Sequence, residues 1–402
     1  MSEPLVVIGN GMAAARFVSE LAEIALGRYA VAVIGEEPQL AYNRVLLSSL
    51  LAQEISPADI ELKSANWWRE RGVTLRYGCA ATAIDRLKRI VTLADGRELR
   101  FSKLVIATGS RAMKLDVPGM NLPGVLTFRD LADVDAIAAS ASPGMRVAVI
   151  GGGLLGIEAA YGLARRGAAV TLVHLMDRLM ERQLDPQASQ MLKRAIEAKG
   201  VRVFLNAETR RIAGEQRAAG IELADGTSIA ADLIVVAIGI RPNIELAEKA
   251  GIITDRGIAV NDRLETSAQG IFAIGECAQH AGYCYGLVEP AYEQARILAR
   301  HLAGIRERYQ GSVLSTNLKV SGVSVFSAGN FLGGAGCEEI VLSDPGFGTY
   351  KKLVIERGRL AGAVLYGDTT DALWYRDLIR TGEPVQPFRG DLAFGRAVAM
   401  AA

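Results

Sequence analysis

Two glycine-rich runs carry the most specific chemical information in this chain of 402 residues. The first is Gly9-Asn10-Gly11-Met12-Ala13-Ala14, and the second is Gly151-Gly152-Gly153-Leu154-Leu155-Gly156. Each follows a short β-branched run and leads into an Ala- and Leu-rich segment, which predicts a strand, a tight turn and a helix. Glycines let the backbone approach a pyrophosphate, and a helix N-terminus offers that group free N–H donors. Two runs therefore predict two dinucleotide sites, as in a flavoprotein that takes hydride from a nicotinamide.

A carboxylate after the next strand normally binds the ribose hydroxyls, ~20 residues beyond the first glycine. Glu36 follows the apolar run 30–34, slightly later than that spacing. In the second unit His174 follows the run 169–173 and stands where the acid would be sought. The first site thus has its usual acid and the second lacks it. Two plain alternatives stay open, a solvated carboxylate at Glu36 and an ordinary surface or half-buried histidine at His174.

Other chemistries have little support in the sequence. The four cysteines form no C-x-x-C pair, and the three histidines lack metal-ligand spacing, so we expect no metal site, iron–sulfur cluster or disulfide framework. A net charge of +1 without a basic tract gives no reason to expect nucleic acid as a partner. No apolar run approaches the ~18 residues of a membrane span, and we find no signal peptide. A cytoplasmic location is the expectation.

The arrangement of strands predicts an α/β fold with two Rossmann-like dinucleotide-binding domains, the second inserted in the first. The apolar runs 103–106 and 232–238 each end in a small-residue turn and close one glycine-loop unit. We expect a discontinuous first domain of residues 1–112 and 244–310, a second domain of residues 113–243, and a small C-terminal α+β domain of residues 311–402.

Several motifs together resemble a known family. The resemblance rests on the following stretches: the two glycine runs, Ala107-Thr108-Gly109, Gly239-Ile240-Arg241-Pro242-Asn243, Ile274-Gly275-Glu276, Tyr42–Ser48, Leu175–Asp185 and Tyr285–Pro290. They resemble the FAD-dependent pyridine-nucleotide oxidoreductases, and within these the flavoprotein portion of the NAD(P)H nitrite reductase large subunit and the assimilatory nitrate reductase electron-transfer subunit. Rubredoxin and ferredoxin reductases are also similar. The resemblance implies a glutathione-reductase-like arrangement of the domains.

The resemblance implies FAD in the first site. The FAD pyrophosphate would lie on the first glycine run, the adenosine ribose on Glu36, and a ribityl hydroxyl on Glu276. A helix N-terminus beginning at Leu287 would lie near the flavin pyrimidine. The FAD-binding residues implied in this way are Gly9, Gly11, Met12, Ala13, Ala14, Glu36, Arg44, Ser49, Ala107, Thr108, Gly109, Gly275, Glu276, Leu287 and Val288.

The resemblance implies NAD(P)H in the second site, with NADH favoured. Glu158 would lie near the nicotinamide, and Glu158 and Arg44 are the predicted catalytic residues. The binding residues implied are Gly151, Gly153, Leu154, Leu155, Gly156, Glu158, His174 and Gly239. Plain alternatives stay open for Glu276, Arg44 and Glu158, as a solvated carboxylate, a surface arginine and an exposed helix residue.

The chain departs from its relatives in three ways. Ferredoxin and rubredoxin reductases often carry a lysine close to flavin N5, but the matching stretch Leu47-Ser48-Ser49-Leu50 has none. Disulfide reductases need a redox cysteine that faces the flavin, and the segment 42–49 has none. No cysteine cluster is present for the iron–sulfur and sirohaem chemistry of nitrite reduction. We therefore expect an enzyme that passes electrons from NADH through FAD to a separate haem, iron–sulfur or rubredoxin-like protein, or to a nitrate- or nitrite-reducing subunit. The alternatives are an NADH oxidase and a non-catalytic flavin-binding regulatory subunit. The C-terminal domain is a candidate for a homodimer contact.

Overall fold

The two glycine runs lie at the carboxyl edges of two parallel sheets in the computed structural model, which describes residues 2–25, 27–320 and 322–401. The strands are β1 (Glu3–Ile8), β2 (Tyr29–Ile34), β3 (Thr74–Arg76), β4 (Ala81–Asp85), β5 (Ile90–Leu93), β6 (Glu98–Arg100), β7 (Lys103–Ile106), β8 (Ser110–Ala112), β9 (Val125–Thr127), β10 (Arg146–Ile150), β11 (Ala169–Val173), β12 (Arg202–Phe204), β13 (Thr209–Gly214), β14 (Ala218–Leu223), β15 (Ser228–Ala230), β16 (Leu233–Val236), β17 (Ile240–Pro242), β18 (Ile258–Val260), β19 (Ile271–Ala273), β20 (Ala278–His280), β21 (Ser315–Val320), β22 (Val323–Gly329), β23 (Cys337–Asp344), β24 (Thr349–Glu356) and β25 (Arg359–Tyr366).

The α-helices are α1 (Met12–Ala25), α2 (Leu47–Leu51), α3 (Ala65–Glu70), α4 (Leu131–Ser140), α5 (Leu154–Arg165), α6 (Pro186–Glu197), α7 (Glu245–Lys249), α8 (Val288–Leu302), α9 (Ala372–Thr381) and α10 (Arg396–Ala399). Short 3₁₀ helices occur at Arg44–Leu46, Pro57–Ile60, Gly275–Cys277, Gln386–Phe388 and Leu392–Phe394. Within the described ranges, no helix has the length and apolarity that crossing a bilayer requires.

The first of two units comprises Met1–Leu46, Ser56–Arg111 and Ile240–Ser312. Its parallel sheet has the order β19-β7-β1-β2-β3, and the apolar residues of β1 are buried in it because both faces are covered. Helix α1 packs against α8, with Phe17 and Leu298 fully buried in one core. The antiparallel sheet β4-β5-β6 has a turn at Asp95-Gly96, where Gly96 has a φ of 81°.

The second unit comprises Leu47–Ile55, Ala112–Gly239 and Val313–Ala402. Its parallel sheet, in the order β12-β11-β10-β16-β9, repeats the pattern of the first unit and is accompanied by the antiparallel sheet β13-β14-β15. The C-terminal part forms an antiparallel sheet in the order β21-β22-β25-β24-β23, with α9 packed on it. The predicted fold class is thus confirmed, with two Rossmann-like sheets and a small C-terminal α+β portion.

One short segment groups differently from our expectation. Leu47–Ile55 belongs with the second unit because α2 packs against α5 and α4, and a Cβ on Gly162 would lie 3.2 Å from the Leu51 Cγ. These contacts join residues 80 or more positions apart, which hydrophobic periodicity does not reveal. The three-domain division of the chain stays a prediction.

Candidate dinucleotide sites

The first glycine loop has one closed position, where a side chain would clash, and one open position, where a side chain would meet no other atom. Gly9 has a φ of +114°, and a Cβ there would lie 2.1 Å from the Ala107 carbonyl oxygen, so only glycine fits. A Cβ on Gly11 would meet nothing within 4 Å. Ala14 takes the third position and is fully buried. The loop is thus tight where it turns and open where a ligand would approach, which fits a bound pyrophosphate.

The predicted FAD-site residues Ala107, Thr108 and Gly109 leave the neighbouring strand β7 at the same sheet edge. The Ala107 N–H donates to the Ile8 carbonyl at 2.7 Å. The Thr108 hydroxyl donates to the Asn243 carbonyl at 2.8 Å, and the Asn243 side chain donates to the Thr108 carbonyl at 2.9 Å. Asn243, which our site prediction did not include, therefore fixes this turn.

Glu276 follows β19 at the same edge and lies beside this turn. The Ser110 hydroxyl donates to Glu276 Oε2 at 2.7 Å, and a Cβ on Gly109 would lie 4.0 Å from that oxygen. The Gly275 N–H donates to the buried Gln294 side chain at 2.8 Å, and a Cβ on Gly275 would lie 2.9 Å from that of Ala13. Sequence reasoning missed Ser110 and Gln294, although Ser110 directly follows the predicted turn.

Arg44 lies in a charged cluster rather than at the open surface. Its guanidinium donates to Glu37, lies 4.9 Å from the Tyr42 ring centroid, and is 23% exposed. The Tyr42 hydroxyl donates to Glu37 Oε2 at 2.6 Å. Burial opposes the charge of Arg44, but Tyr42, Glu37 and Glu276 together raise its pKa. Glu36 is exposed next to this cluster, so the structured carboxylate is Glu37, which sequence reasoning did not single out.

Helix α8 begins close in sequence to Glu276. Leu287 is its N-cap residue and makes no side-chain capping bond, and Val288 opens the first turn. The first N–H groups of this helix therefore present partial positive charge.

Cys277 is fully buried and burial raises the pKa of its thiol, which argues against a reactive thiolate at this position.

The second glycine loop repeats the closed and open positions of the first. Gly151 has a φ of +120°, and a Cβ there would lie 2.2 Å from the Ala237 carbonyl oxygen. A Cβ on Gly156 would lie 1.8 Å from the Gly151 carbonyl oxygen, so the helix packs too closely for alanine. Gly153 is the N-cap of α5, ahead of Leu154 and Leu155, and a Cβ there would meet nothing within 4 Å. This loop also fits a pyrophosphate.

His174 is buried and hydrogen-bonded, so the surface alternative is wrong. It is 8% exposed, and its Nδ1 accepts the Gly152 N–H at 3.0 Å. Its Nε2 lies 3.1 Å from Glu181 Oε2. A Cβ on Gly152 would lie 2.6 Å from the His174 ring, which explains the glycine. Glu181 was not among the predicted site residues, although it lies in a stretch that the family resemblance marks.

Glu158 projects from α5 and is half-buried. Burial raises the pKa of its carboxyl to about 7, against a smaller opposing effect of the hydrogen bond with Ser48.

Ser49 lies next to Ser48 on α2, and its carbonyl accepts the Glu54 N–H at 2.9 Å. Gly239 has a φ of +122°, and its carbonyl accepts the Met113 N–H at 2.9 Å. In the described part of the chain, no three His, Cys, Asp or Glu residues group as metal ligands do.

Known families and proteins match almost the whole chain. The pyridine nucleotide-disulphide oxidoreductase family matches residues 3–297, and the rubredoxin NAD+ reductase C-terminal domain matches residues 315–383. A nitrite reductase [NAD(P)H] of Bacillus subtilis (strain 168) is 44% identical over 369 residues, covering 91% of this chain and 46% of the relative. The assimilatory nitrate reductase electron transfer subunit of the same organism is 43% identical over 368 residues, covering 91% of this chain and 48% of the relative.

The chain therefore spans about half the length of these curated relatives. Among solved structures, the covalent putidaredoxin reductase–putidaredoxin complex aligns with a TM-score of 0.89 and 25% identity, over 99% of this chain and 98% of that one. The family resemblance predicted from the sequence is confirmed. The chain belongs to the pyridine nucleotide-disulphide oxidoreductase family.

Proposed function

We propose that this chain is a NAD(P)H-dependent FAD oxidoreductase that passes electrons to a separate redox protein. One observation carries the proposal: both glycine loops combine a closed first position with an open one at the start of a helix. A Cβ would clash at Gly9 and Gly151, and would meet nothing within 4 Å at Gly11 and Gly153. A protein that only binds flavin has no need of the second loop.

The first loop is the proposed FAD site, with Gly11 to Ala14 beneath the pyrophosphate. The Glu276 carboxylate, oriented by Ser110, accepts a ribityl hydroxyl. The start of α8 at Leu287, which has no side-chain capping bond, would present partial positive charge to a bound flavin. Arg44 is held in place by Glu37 and contributes a fixed cation to this site.

The second loop is the proposed NAD(P)H site, with Gly153 to Gly156 beneath the pyrophosphate. Glu158 lies one turn further along α5, on the same helix that the loop begins, and is the proposed neighbour of the nicotinamide. The bound cofactors supply hydride transfer and single-electron release, and the protein supplies alignment.

The printed names of the relatives support a separate electron acceptor. One is an electron transfer subunit of nitrate reductase, and another was solved in complex with putidaredoxin. We propose an acceptor of the same kind for this chain: a small haem, iron–sulfur or rubredoxin-like protein, or a nitrate- or nitrite-reducing subunit. A cytoplasmic location belongs to the same proposal, and a homodimer stays a prediction.

Cofactor content and acceptor specificity test the proposal together. The purified chain should release one FAD on denaturation, identified by chromatography against FAD and FMN standards. NADH should reduce ferricyanide rapidly and nitrite slowly, and addition of an iron–sulfur or haem protein should allow fast turnover. Absence of FAD, or rapid nitrite reduction by the isolated chain, would contradict the proposal. Rapid reduction of oxygen alone would support the oxidase alternative instead.

A further inference from the structure

We propose that Glu181, held in place by His174, is the carboxylate that binds the adenosine ribose in the second site and selects NADH over NADPH. The inference rests on the proposed function, because it assumes a pyridine nucleotide on the second glycine loop. The residue that directly follows β11 is usually sought for this role, but here that residue is a histidine.

Both ring nitrogens of His174 are hydrogen-bonded within the protein, so the ring does not accept a ribose hydroxyl. Nδ1 accepts the Gly152 N–H at 3.0 Å, so the ring proton lies on Nε2. Nε2 then donates to Glu181 Oε2 at 3.1 Å. The backbone is held on both sides as well, since the His174 N–H donates to Phe204 and its carbonyl accepts the Ala207 N–H, at 2.8 and 2.9 Å. His174 is a positioning residue for the carboxylate.

The segment that carries Glu181 is fastened to the same glycine loop. The Met180 N–H donates to the Gly152 carbonyl at 2.9 Å, and Met180 has a φ of 51°. Leu179 is fully buried, and its carbonyl accepts the Ser189 hydroxyl at 2.8 Å. Gly152 therefore makes two hydrogen bonds. Its carbonyl accepts the Met180 N–H, and its own N–H donates to the His174 ring. These two bonds place the Glu181 carboxylate close to the loop that would hold the nucleotide.

The Glu181 carboxylate has the chemistry that NADH requires. Its side chain is 21% exposed, and His174 occupies one oxygen. A carboxylate offers about four acceptor sites, so the 2′- and 3′-hydroxyls can donate to it. The 2′-phosphate of NADPH carries negative charge and would be repelled at the same place.

The nearby cations do not replace Glu181 in this role. Arg178 donates to its neighbour Asp177 at 3.0 Å, which partly neutralises its charge. Arg182 is 85% exposed, and its Nε lies 3.8 Å from Glu181, so it pairs loosely at the surface. The Glu181 carboxylate, in contrast, is held in place by its hydrogen bond with His174.

Equilibrium binding to the FAD-loaded protein tests the inference without turnover. Calorimetry would compare ADP-ribose with 2′-phospho-ADP-ribose in the wild type, Glu181→Gln, His174→Asn and Glu215→Gln. In Glu181→Gln, the glutamine keeps an oxygen that can accept the His174 N–H. In His174→Asn, the asparagine keeps an acceptor for the Gly152 N–H, but it has no donor at the position of Nε2 that faces Glu181. Glu215→Gln is the matched control, because it neutralises an exposed carboxylate of the same unit, in the turn between β13 and β14.

We expect the wild type to bind ADP-ribose more tightly, and Glu181→Gln to lower that preference by about tenfold, the effect of one charge-assisted hydrogen bond. His174→Asn should lower the same ratio by less, and Glu215→Gln should leave it unchanged. A preference that survives Glu181→Gln, or that changes in Glu215→Gln, would overturn the inference alone. A wild-type protein that binds neither ligand would overturn the proposed function as well.

Discussion

Replacing Gly153 by valine should separate nucleotide binding from folding. Gly153 has a φ of −81° and a ψ of −174°, which any residue adopts, and a Cβ there would meet nothing within 4 Å. The folded chain loses only the preference of the N-cap position for glycine over valine, about 1 kcal/mol. For a unit of this size, that corresponds to a fall in Tm of about 2–4 °C.

The effect of the same substitution on NADH binding should be much larger. A valine side chain at the open position keeps the pyrophosphate from the N–H groups of the loop. Each hydrogen bond to a charged group contributes about 1.5–3 kcal/mol, so the loss of one weakens binding roughly 10- to 100-fold. Calorimetry with NAD+ and the KM for NADH would measure this loss, and released FAD would show whether the first site is intact.

Gly151→Val is the structural control, because its Cβ would lie 2.2 Å from the Ala237 carbonyl oxygen at a φ of +120°. We expect that variant to misfold. A well-folded Gly153→Val protein with wild-type affinity for NADH would refute the placement of the nucleotide. Loss of FAD from a folded Gly153→Val protein would refute the assignment of separate sites.

Four further predictions follow from the two units. Gly11→Val should give a folded but colourless protein, since a Cβ there meets nothing within 4 Å, and bound FAD in that variant would contradict the first site. Burial raises the pKa of Glu158 to about 7, so folding takes up a proton and stability falls as pH rises from the ordinary glutamate value to about 7. Relative to the wild type, Glu158→Gln should therefore be more stabilising at pH 8 than at pH 5, by at most about 3 kcal/mol in the free energy of unfolding. Thermal unfolding at the two pH values would measure this, and an equal difference in Tm at both would contradict it. Tyr350→Phe removes a 2.5 Å hydrogen bond to the buried Asp185 and should cost about 2 kcal/mol, measured as a lower Tm; an unchanged Tm would contradict that contact. Electron transfer to an added redox protein should slow as salt is raised if charge guides the encounter, whereas ferricyanide reduction at saturating dye should change little.

The sequence predicted the local elements around both glycine runs. The runs, their flanking strands and the helices that follow each depend on a few neighbouring residues. Backbone sterics fix such features, so residue types and spacing are enough to find them. The closed positions at Gly9 and Gly151 agree with the glycines of the motif.

The contacts that complete the sites could not be predicted in the same way. Asn243 meets Thr108 across 135 positions, and Ser110 meets Glu276 across 166. Such pairs depend on which strands adjoin in the folded sheet. The choice of Glu37 over Glu36 as the partner of Arg44 depends on the path of the loop, which no spacing rule encodes.

His174 illustrates a different limit of sequence reasoning. Its position after β11 is evident, but its role depends on which ring nitrogen faces the loop. The Gly152 N–H and Glu181 together determine that orientation, and Glu181 lies seven positions further along the chain. A histidine in place of an acid therefore did not indicate that a carboxylate was held nearby.

Anaerobic stopped-flow mixing of the FAD-loaded chain with NADH would show whether the nicotinamide reduces the bound flavin. We expect the visible absorbance of the flavin to bleach in a single turnover, at a rate that saturates with NADH in the wild type. In Gly153→Val, the same bleaching should require much higher NADH concentrations, while the flavin content is unchanged. A folded, FAD-loaded wild-type chain whose flavin stays oxidised under NADH and NADPH would contradict the account.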